Sequence, residues 1–281
     1  MTQGAGVVTM TQGAGVVSTA TKTGDVHVAS TTVGERAPIA VIAGPCSVES
    51  FDGFRAAAVA VQAAGATLLR GGAFKPRTSP YSFQGLGKEG LEIMRTIGDE
   101  LGMGIVTEAM RIEEVELVAT YADMIQIGAR NMDNSALLQR AAATGRPILL
   151  KRGLTSTVDE LLRAADGIVA QGNDAVVLCE RGSRTFEPST RNSLDIAAIP
   201  ELQLRSELPV IVDPSHGTGR TDLVTPAGVA GIAAGADGII VEVHPNPATA
   251  FSDGDQALST EAFPGFMQRV GAMAVAMGRT I

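Results

Sequence analysis

The segment PIAVIAGPCSVESFDGFRAAAVAVQAA, residues 38–64, contains one complete unit of the pattern that decides the fold. Its apolar run at residues 39–43 predicts a buried strand, and residues 44–47 predict a loop. Ser50 stands at an N-cap position, and residues 51–64 have the pattern of a helix. The segment is therefore interpreted as a strand, a loop and a helix.

This unit recurs eight times along the chain. Strands are predicted at residues 39–43, 67–69, 104–107, 124–127, 147–150, 175–178, 209–212 and 238–241. Helices are predicted at residues 51–64, 88–101, 112–121, 134–143, 157–170, 191–207, 225–234 and 260–277. Fully apolar strands that alternate with helices indicate a parallel sheet that is covered on both faces.

Eight such units over roughly 240 residues match the size of a closed barrel. The sequence therefore predicts an α/β fold, a (β/α)8 TIM barrel with a short N-terminal extension or hairpin. An open, doubly wound sheet is the alternative. It is disfavoured because no Gly-x-Gly-x-x-Gly follows the first strand, which also weakens a dinucleotide-binding function.

The N-terminal region divides into two predicted parts. Residues 1–8, MTQGAGVV, recur identically as residues 10–17, so residues 1–20 are expected to be a flexible, repetitive tail. Residues 25–28 alternate like a short strand, and residues 21–37 are expected to form an extension or hairpin below the barrel. The catalytic barrel is expected to comprise residues 38–281.

Composition and charge exclude several classes of function. With 45% hydrophobic and 19% charged residues, the 281-residue chain has the composition of a soluble globular protein. It contains neither an apolar run of the ~20 residues that span a membrane nor a signal-peptide pattern. We therefore expect a cytoplasmic protein without a membrane partner. The net charge of −8 argues against nucleic acid as a partner.

Ionisable residues collect at the carboxyl ends of the predicted strands, where barrel enzymes build their active sites. The cations at this end are Arg70, Lys75, Arg77, Arg130, Lys151, Arg181 and Arg184. Three of them lie in one loop, LRGGAFKPRTSP, residues 69–80. Clustered guanidinium and ammonium groups suit phosphate, so the set favours two phosphorylated substrates, or one phosphate with a carboxylate. A solvated basic loop is the alternative for residues 69–80.

A second group at the same end has mixed metal-binding chemistry. It consists of Cys46, His216, Glu242 and Asp253. A thiolate, an imidazole and two carboxylates suit Mn, Fe, Co or Zn better than Mg or Ca. The four residues are far apart in sequence, so spacing alone leaves Cys46 equally open as a packed thiol. Cys179, within the sixth predicted strand, is interpreted as a core thiol.

Lys151 has two interpretations. It ends the fifth predicted strand, which is where Schiff-base aldolases of this architecture place their nucleophile. The adjacent Arg152 and the other arginines at this end make a phosphate or carboxylate ligand equally acceptable.

From about residue 24 to the C-terminus, the chain resembles the type Iβ 3-deoxy-D-arabino-heptulosonate 7-phosphate (DAHP) synthases. The motifs that carry the resemblance are IAGPCSVE at 42–49, RGGAFKPRTS at 70–79, QIGARNM at 126–132, LKRG at 150–153, CERG at 179–182, DPSH at 213–216 and VEVHP at 241–245. Enzymes of this family condense phosphoenolpyruvate with erythrose 4-phosphate and release phosphate, which is the first step of the shikimate pathway. The resemblance implies these two substrates here.

The resemblance also implies a role for each candidate residue. Cys46, His216, Glu242 and Asp253 would bind one divalent metal ion, Mn²⁺ first, with Fe²⁺, Co²⁺ or Zn²⁺ as alternatives. Phosphoenolpyruvate would be held by Arg70, Lys75, Arg130, Lys151 and Arg181. Arg77 and Thr78 would hold erythrose 4-phosphate. Lys75, Lys151, His216 and Cys46 would be the catalytic residues, with Lys151 acting electrostatically and in proton transfer.

Three competing functions remain at this point. A 3-deoxy-manno-octulosonate 8-phosphate synthase would use arabinose 5-phosphate, but that family typically has Lys-Ala-Asn-Arg where this chain has Lys75, Pro76 and Arg77. A Schiff-base aldolase is less favoured, and a non-catalytic subunit is least favoured. The implied partners are a second copy of the chain, as a homodimer or homotetramer, and a regulatory protein.

Overall fold

The computed structural model describes residues 24–75 and 81–281. An antiparallel hairpin of β1 (Asp25–Val28) and β2 (Thr31–Gly34) comes first. The parallel strands that follow are β3 (Ala40–Gly44), β4 (Leu68–Arg70), β5 (Gly104–Glu108), β6 (Met124–Ile127), β7 (Ile148–Lys151), β8 (Val176–Glu180), β9 (Val210–Val212) and β10 (Gly238–His244). They pair in chain order, and β10 pairs with both β9 and β3. The predicted (β/α)8 barrel is therefore confirmed.

Helices connect the strands on the outside of the barrel. They are α1 (Phe51–Ala63), α2 (Lys88–Leu101), α3 (Val115–Tyr121), α4 (Ser135–Ala142), α5 (Val158–Val169), α6 (Ala198–Arg205), α8 (Thr221–Ala233) and α9 (Phe263–Ala276). A one-turn helix, α7 (Pro214–Thr218), follows β9, and a short strand, β11 (Leu258–Ser259), pairs with β10. The apolar faces of the helices and the outward side chains of the strands form one continuous buried layer.

Two predicted helices differ from the structure by four or more residues at their N-terminal ends. The helix expected at 191–207 begins only at Ala198, because the preceding residues make tertiary contacts instead of helical ones. Ser193 pairs with Ser183 across the loop, and the Arg191 side chain reaches Asp253. The helix expected at 225–234 begins at Thr221, shortly after the chain has reversed at Gly219 with a φ of 68°.

The predicted hairpin is present, and it covers the amino-terminal end of the barrel. Val26, Val28 and Val33 are buried against the side chains that fill the barrel interior, among them Ile42 and Leu68. This plug leaves the carboxyl ends of the strands as the open end of the barrel. The chemistry must therefore lie there.

The predicted tail, residues 1–20, lies outside the described residues, and the proposed domain limits stay predictions. Among the residues that the structure describes, no helix combines the length and the apolar character that crossing a membrane requires.

Candidate active site

Three side chains from distant parts of the chain converge at the open end of the barrel. The Cys46 thiol and one carboxylate oxygen each of Glu242 and Asp253 lie within 4.8 Å of one another. Strand register brings Glu242 close to Cys46, since Glu242 of β10 pairs with Gly44 at the end of β3. Asp253 enters from the loop between β10 and β11, and its Oδ2 accepts a hydrogen bond from Cys46 Sγ at 3.1 Å.

His216 borders this group without being part of the set of three. Its Nε2 lies 3.4 Å from Glu242 Oε1. Asp213 fixes the ring, because its Oδ1 accepts the backbone N–H of His216 at 2.9 Å and its Oδ2 lies 2.8 Å from His216 Nδ1. A proton on Nδ1 then leaves the lone pair of Nε2 directed toward the Glu242 side.

The buried charges shift the pKa values of this group in opposite directions. Burial, reinforced by the Glu242 carboxylate, raises the pKa of the Cys46 thiol to about 12. Burial also acts to raise the pKa of Asp253, but the hydrogen bond from Cys46 and the charge of Arg191 outweigh it and lower that pKa to about 2. The thiol therefore keeps its proton unless a further cation lies beside it.

The donor set fits a divalent transition metal. A deprotonated Cys46 together with Glu242 and Asp253 would place three negative charges within a few ångströms, which is unfavourable in a buried site. Among the residues that the structure describes, the lysine and arginine side chains in direct contact with Cys46 or Glu242 are Arg70 and Lys75. A soft thiolate combined with carboxylates and an adjacent imidazole matches the ligands of Mn, Fe, Co or Zn.

Arg70 is buried and has hydrogen-bond donors that are not used by the described residues. Its Nη2 donates to Glu242 Oε1 at 3.0 Å, and its side chain is 6% exposed. Its Nε and Nη1 are buried and have no hydrogen-bond partner among the described residues. Lys75 lies close by, with Nζ 3.0 Å from Cys46 Sγ and 2.5 Å from the Cys46 carbonyl oxygen.

Further buried cations lie where β7 and β8 end, at the same end of the barrel. Lys151 Nζ donates to Asp213 Oδ2 at 2.5 Å, with both side chains buried. Arg181 is also buried, which lowers its pKa, and its Nη1 makes a long hydrogen bond of 3.4 Å to the Gly182 carbonyl oxygen. Arg152, in contrast, is held by the carboxylates of Glu180 and Asp195.

Other predicted residues lie further from this cluster or outside the described part of the chain. Arg130 and Arg184 are exposed on the loops after β6 and β8. Arg77 and Thr78 fall outside the described residues. A cavity of about 300 Å³ between α4 and α5 is lined by none of the predicted site residues.

The sequence predicted no role for three residues that contact His216, Glu242 or Asp253. Asp213 bridges Lys151 and His216 and could have been found from its place in the DPSH motif. Gln256 Nε2 donates to Glu242 Oε2 at 2.8 Å, and Arg191 Nη1 donates to Asp253 Oδ1 at 3.0 Å. Neither Gln256 nor Arg191 carries a local sequence signal, because Arg191 fell in a predicted helix and Gln256 in an irregular loop.

Similar proteins are known for almost the whole chain. A family model described as the DAHP synthetase I family matches residues 16–277. A phospho-2-dehydro-3-deoxyheptonate aldolase from Thermotoga maritima is 52% identical over 238 residues, which are 85% of this chain and 70% of that protein. A 2-dehydro-3-deoxyphosphooctonate aldolase from Nitrobacter hamburgensis is 32% identical over 261 residues, or 86% of this chain and 90% of that protein.

Solved structures give the same relationship. The crystal structure of the Thermotoga maritima DAHP synthase superimposes with a TM-score of 0.89 at 49% identity and covers 91% of this chain and 75% of that one. A truncated form of the Thermotoga maritima enzyme gives a TM-score of 0.85 at 45% identity and covers 91% of this chain and 94% of that one. Because the family model spans most of the sequence and the related aldolase is 52% identical, the chain belongs to the DAHP synthetase I family.

Proposed function

We propose that the protein condenses phosphoenolpyruvate with erythrose 4-phosphate to form 3-deoxy-D-arabino-heptulosonate 7-phosphate and phosphate. One observation carries the proposal beyond family membership. Arg70 is buried beside the Cys46, Glu242 and Asp253 group with two guanidinium nitrogens unpartnered among the described residues. Buried donors of this kind call for an acceptor, and a guanidinium pairs best with phosphate or carboxylate oxygens.

Phosphoenolpyruvate is assigned to the cations around Arg70. Arg181 is buried and has no carboxylate partner within the described part of the chain, so it offers a second site for a phosphate or carboxylate. Lys75 contacts Cys46, Lys151 pairs with Asp213, and the exposed Arg130 follows β6 at the same end of the barrel. The family resemblance gives these five residues to phosphoenolpyruvate and Arg77 with Thr78 to erythrose 4-phosphate.

The metal site is assigned to Cys46, Glu242 and Asp253, with His216 as the fourth ligand, and Mn²⁺ is the proposed ion. When bound, such an ion supplies Lewis-acid polarisation of the aldehyde of erythrose 4-phosphate. The protein's own contribution is to hold the ligands in place. Asp213 orients the His216 imidazole, and Gln256 orients the Glu242 carboxylate.

The bond changes follow from the two substrates. The C2=C3 π electrons of phosphoenolpyruvate form a bond from C3 to the aldehyde carbon of erythrose 4-phosphate, and the carbonyl π bond of the aldehyde breaks. Water adds at C2 of phosphoenolpyruvate, and the proton that this water releases goes to the former aldehyde oxygen. The bond between C2 and the phosphate oxygen then breaks, and phosphate leaves. Arg70 and Arg181 hold the charge of the departing phosphate, and Lys151 holds a proton at Nζ within the site.

The two alternatives are less well supported. Two relatives named 2-dehydro-3-deoxyphosphooctonate aldolase are 30% and 32% identical to this chain. The phospho-2-dehydro-3-deoxyheptonate aldolase is 52% identical over a similar share of the chain. A Schiff base requires a free amine, whereas Lys151 Nζ is held in a buried ion pair with Asp213 at 2.5 Å.

Steady-state kinetics with two aldose phosphates test the proposed substrate. At saturating phosphoenolpyruvate, kcat/KM for erythrose 4-phosphate is expected to exceed that for arabinose 5-phosphate by about 10²-fold, since a misplacement of about 1 Å has that cost. Arg77→Ala is expected to raise KM for erythrose 4-phosphate more than KM for phosphoenolpyruvate. A preference for arabinose 5-phosphate would overturn the assignment.

Two further expectations stay predictions. A homodimer or homotetramer is expected, and light scattering coupled to size-exclusion chromatography measures its mass. A regulatory partner protein is the remaining candidate partner.

A further inference from the structure

The loop that carries Asp253 runs from His244 to Leu258 and has little regular structure. It contains two single-turn 3-10 helices, Pro247–Thr249 and Gly254–Gln256. Asp253 itself has a φ of 52°, one of two positive values among the non-glycine residues that the structure describes. A non-glycine residue in this region is strained and needs support from its surroundings. Contacts outside the loop must therefore hold the Asp253 carboxylate near Cys46.

Two hydrogen bonds tie the residues before Asp253 to the residues after Cys46. Ser47 Oγ and Ser252 Oγ lie 2.8 Å apart, and both side chains are buried. The Phe251 N–H donates to Glu49 Oε1 at 2.8 Å. Residues within three positions of Cys46 and within two positions of Asp253 are thus joined to each other, although they are 205 and 202 residues apart in sequence.

Glu49 is the common acceptor of this network. Its Oε1 also lies within hydrogen-bonding distance of Ser47 Oγ, at 3.2 Å. If Ser47 donates to Glu49, Ser252 must donate to Ser47, so one carboxylate sets the direction of the whole chain of hydroxyls. On the other side, Glu49 Oε2 lies 3.6 Å from His244 Nε2, and the Asn246 N–H donates to His244 Nδ1 at 3.1 Å. Glu49 therefore contacts the loop at its start, through His244, and again at its middle, through Phe251.

We propose that Glu49 is a positioning residue for the metal site: through Ser47, Ser252 and the Phe251 N–H, it holds Asp253 against Cys46 and so preforms the ligand group. This inference rests on the proposed metal site. Its physical basis is that ligands fixed by outer hydrogen bonds bind a metal without first being ordered. Glu49 itself is not assigned any contact with the metal or the substrates.

The test measures metal binding directly on the full-length, metal-stripped protein. Co²⁺ is added, and thiolate-to-cobalt charge-transfer absorption reports ligation by Cys46 without any turnover. Glu49→Ala is expected to weaken Co²⁺ binding by about 10- to 100-fold, the usual effect of losing an outer-sphere partner of a ligand. Glu49→Gln keeps an oxygen that can accept from Phe251 and Ser47, so it is expected to bind Co²⁺ more tightly than Glu49→Ala.

Matched variants separate positioning from general destabilisation. Ser252→Ala removes one hydroxyl of the network and is expected to weaken Co²⁺ binding as well. Glu113→Gln, at an exposed glutamate in the 3-10 helix before α3, is expected to leave Co²⁺ binding unchanged. Thermal unfolding of each metal-free variant accompanies the binding curves. Co²⁺ affinity equal to wild type in both Glu49→Ala and Ser252→Ala would overturn the positioning role. Wild-type protein that gives no thiolate absorption with Co²⁺ would overturn the metal site itself, and the inference with it.

Discussion

At the scale of single residues, the site depends on carboxylates that each serve two partners. Asp213 is fully buried and contacts both Lys151 and His216 through Oδ2. Burial alone would raise the pKa of Asp213, but the interaction with His216, including its hydrogen bond, and the charge of Lys151 hold that pKa well below its usual range. Asp213 thus links the residue proposed to bind metal with the lysine proposed to bind phosphoenolpyruvate.

Replacing Asp213 by Asn tests this link. Asn retains a side-chain oxygen for the His216 N–H and is itself a good N-cap, so α7 is expected to stay intact. The contacts of Oδ2 are lost, and kcat/KM is expected to fall by about 10- to 100-fold. Asp99→Asn, at an exposed aspartate of α2, is the control and should retain full activity. Wild-type kinetics in Asp213→Asn would remove Asp213 from the site.

The pKa of Asp253 predicts a pH-dependent contribution to stability in the metal-free protein. Its folded pKa is about 2 against 3.8 for the ordinary value, so the unfolded chain binds the proton more tightly. The carboxylate therefore stabilises the fold above pH 3.8, and this contribution is lost as the pH falls toward 2. Because the side chain is only 27% exposed, the shift corresponds to about 2 kcal/mol.

Urea unfolding of wild type and Asp253→Asn measures this contribution as a difference. The gap between the two free energies of unfolding is expected to shrink by about 2 kcal/mol between pH 5 and about pH 2. A gap that stays constant over this range would contradict the assigned pKa.

At the scale of elements, the hairpin β1–β2 contributes stability without taking part in the site. Val28 is fully buried against the barrel interior, at the end opposite to Cys46. Val28→Ala is expected to lower the free energy of unfolding by about 2 kcal/mol, from lost burial and the cavity left behind. His27→Ala, on the exposed face of the same strand, is the control, and both variants should keep the wild-type kcat. A reduced kcat in fully folded Val28→Ala would show that the two ends of the barrel are coupled.

At the scale of the whole molecule, Arg279 joins the C-terminal segment to the start of the barrel. It donates to the buried Asp237 carboxylate at 3.0 Å and to the carbonyl oxygens of Gly34 and Ala37 at 2.6 and 2.8 Å. The Ile39 N–H also donates to the Thr280 carbonyl oxygen at 2.7 Å. These bonds hold the chain where β10 closes against β3.

Arg279→Ala leaves the buried Asp237 carboxylate without its cation. The free energy of unfolding is expected to fall by about 3 kcal/mol, the usual cost of breaking a buried pair. Arg269→Ala, at an exposed arginine of α9, should change stability by less than about 0.5 kcal/mol. An equal loss of unfolding free energy in the two variants would contradict the closing role of Arg279. Below its melting temperature, Arg279→Ala should remain active, because Arg279 is distant from the site.

Local patterns predicted elements well where burial alone determined them. Strand β6 and helix α2 were predicted with the limits that the structure shows, because an apolar strand and an amphipathic helix each satisfy their own periodicity. The prediction failed at residues 191–197. There the contact of Arg191 with Asp253 outweighs local helix propensity.

The sequence by itself determined the order of strands and helices and the concentration of ionisable residues at one end of the barrel, since both depend on short-range periodicity and strand direction. Tertiary structure alone decided which residues meet. Cys46 and Cys179 are both buried thiols, yet Cys46 lies 3.1 Å from Asp253, and Cys179 is packed among the apolar side chains inside the barrel. Cys46 and Asp253 are 207 residues apart in sequence, and only the closure of β10 against β3 brings them together. The pairing of Arg70 with Glu242 depends on that same closure, because partners across a closed barrel are fixed by strand register rather than by local sequence.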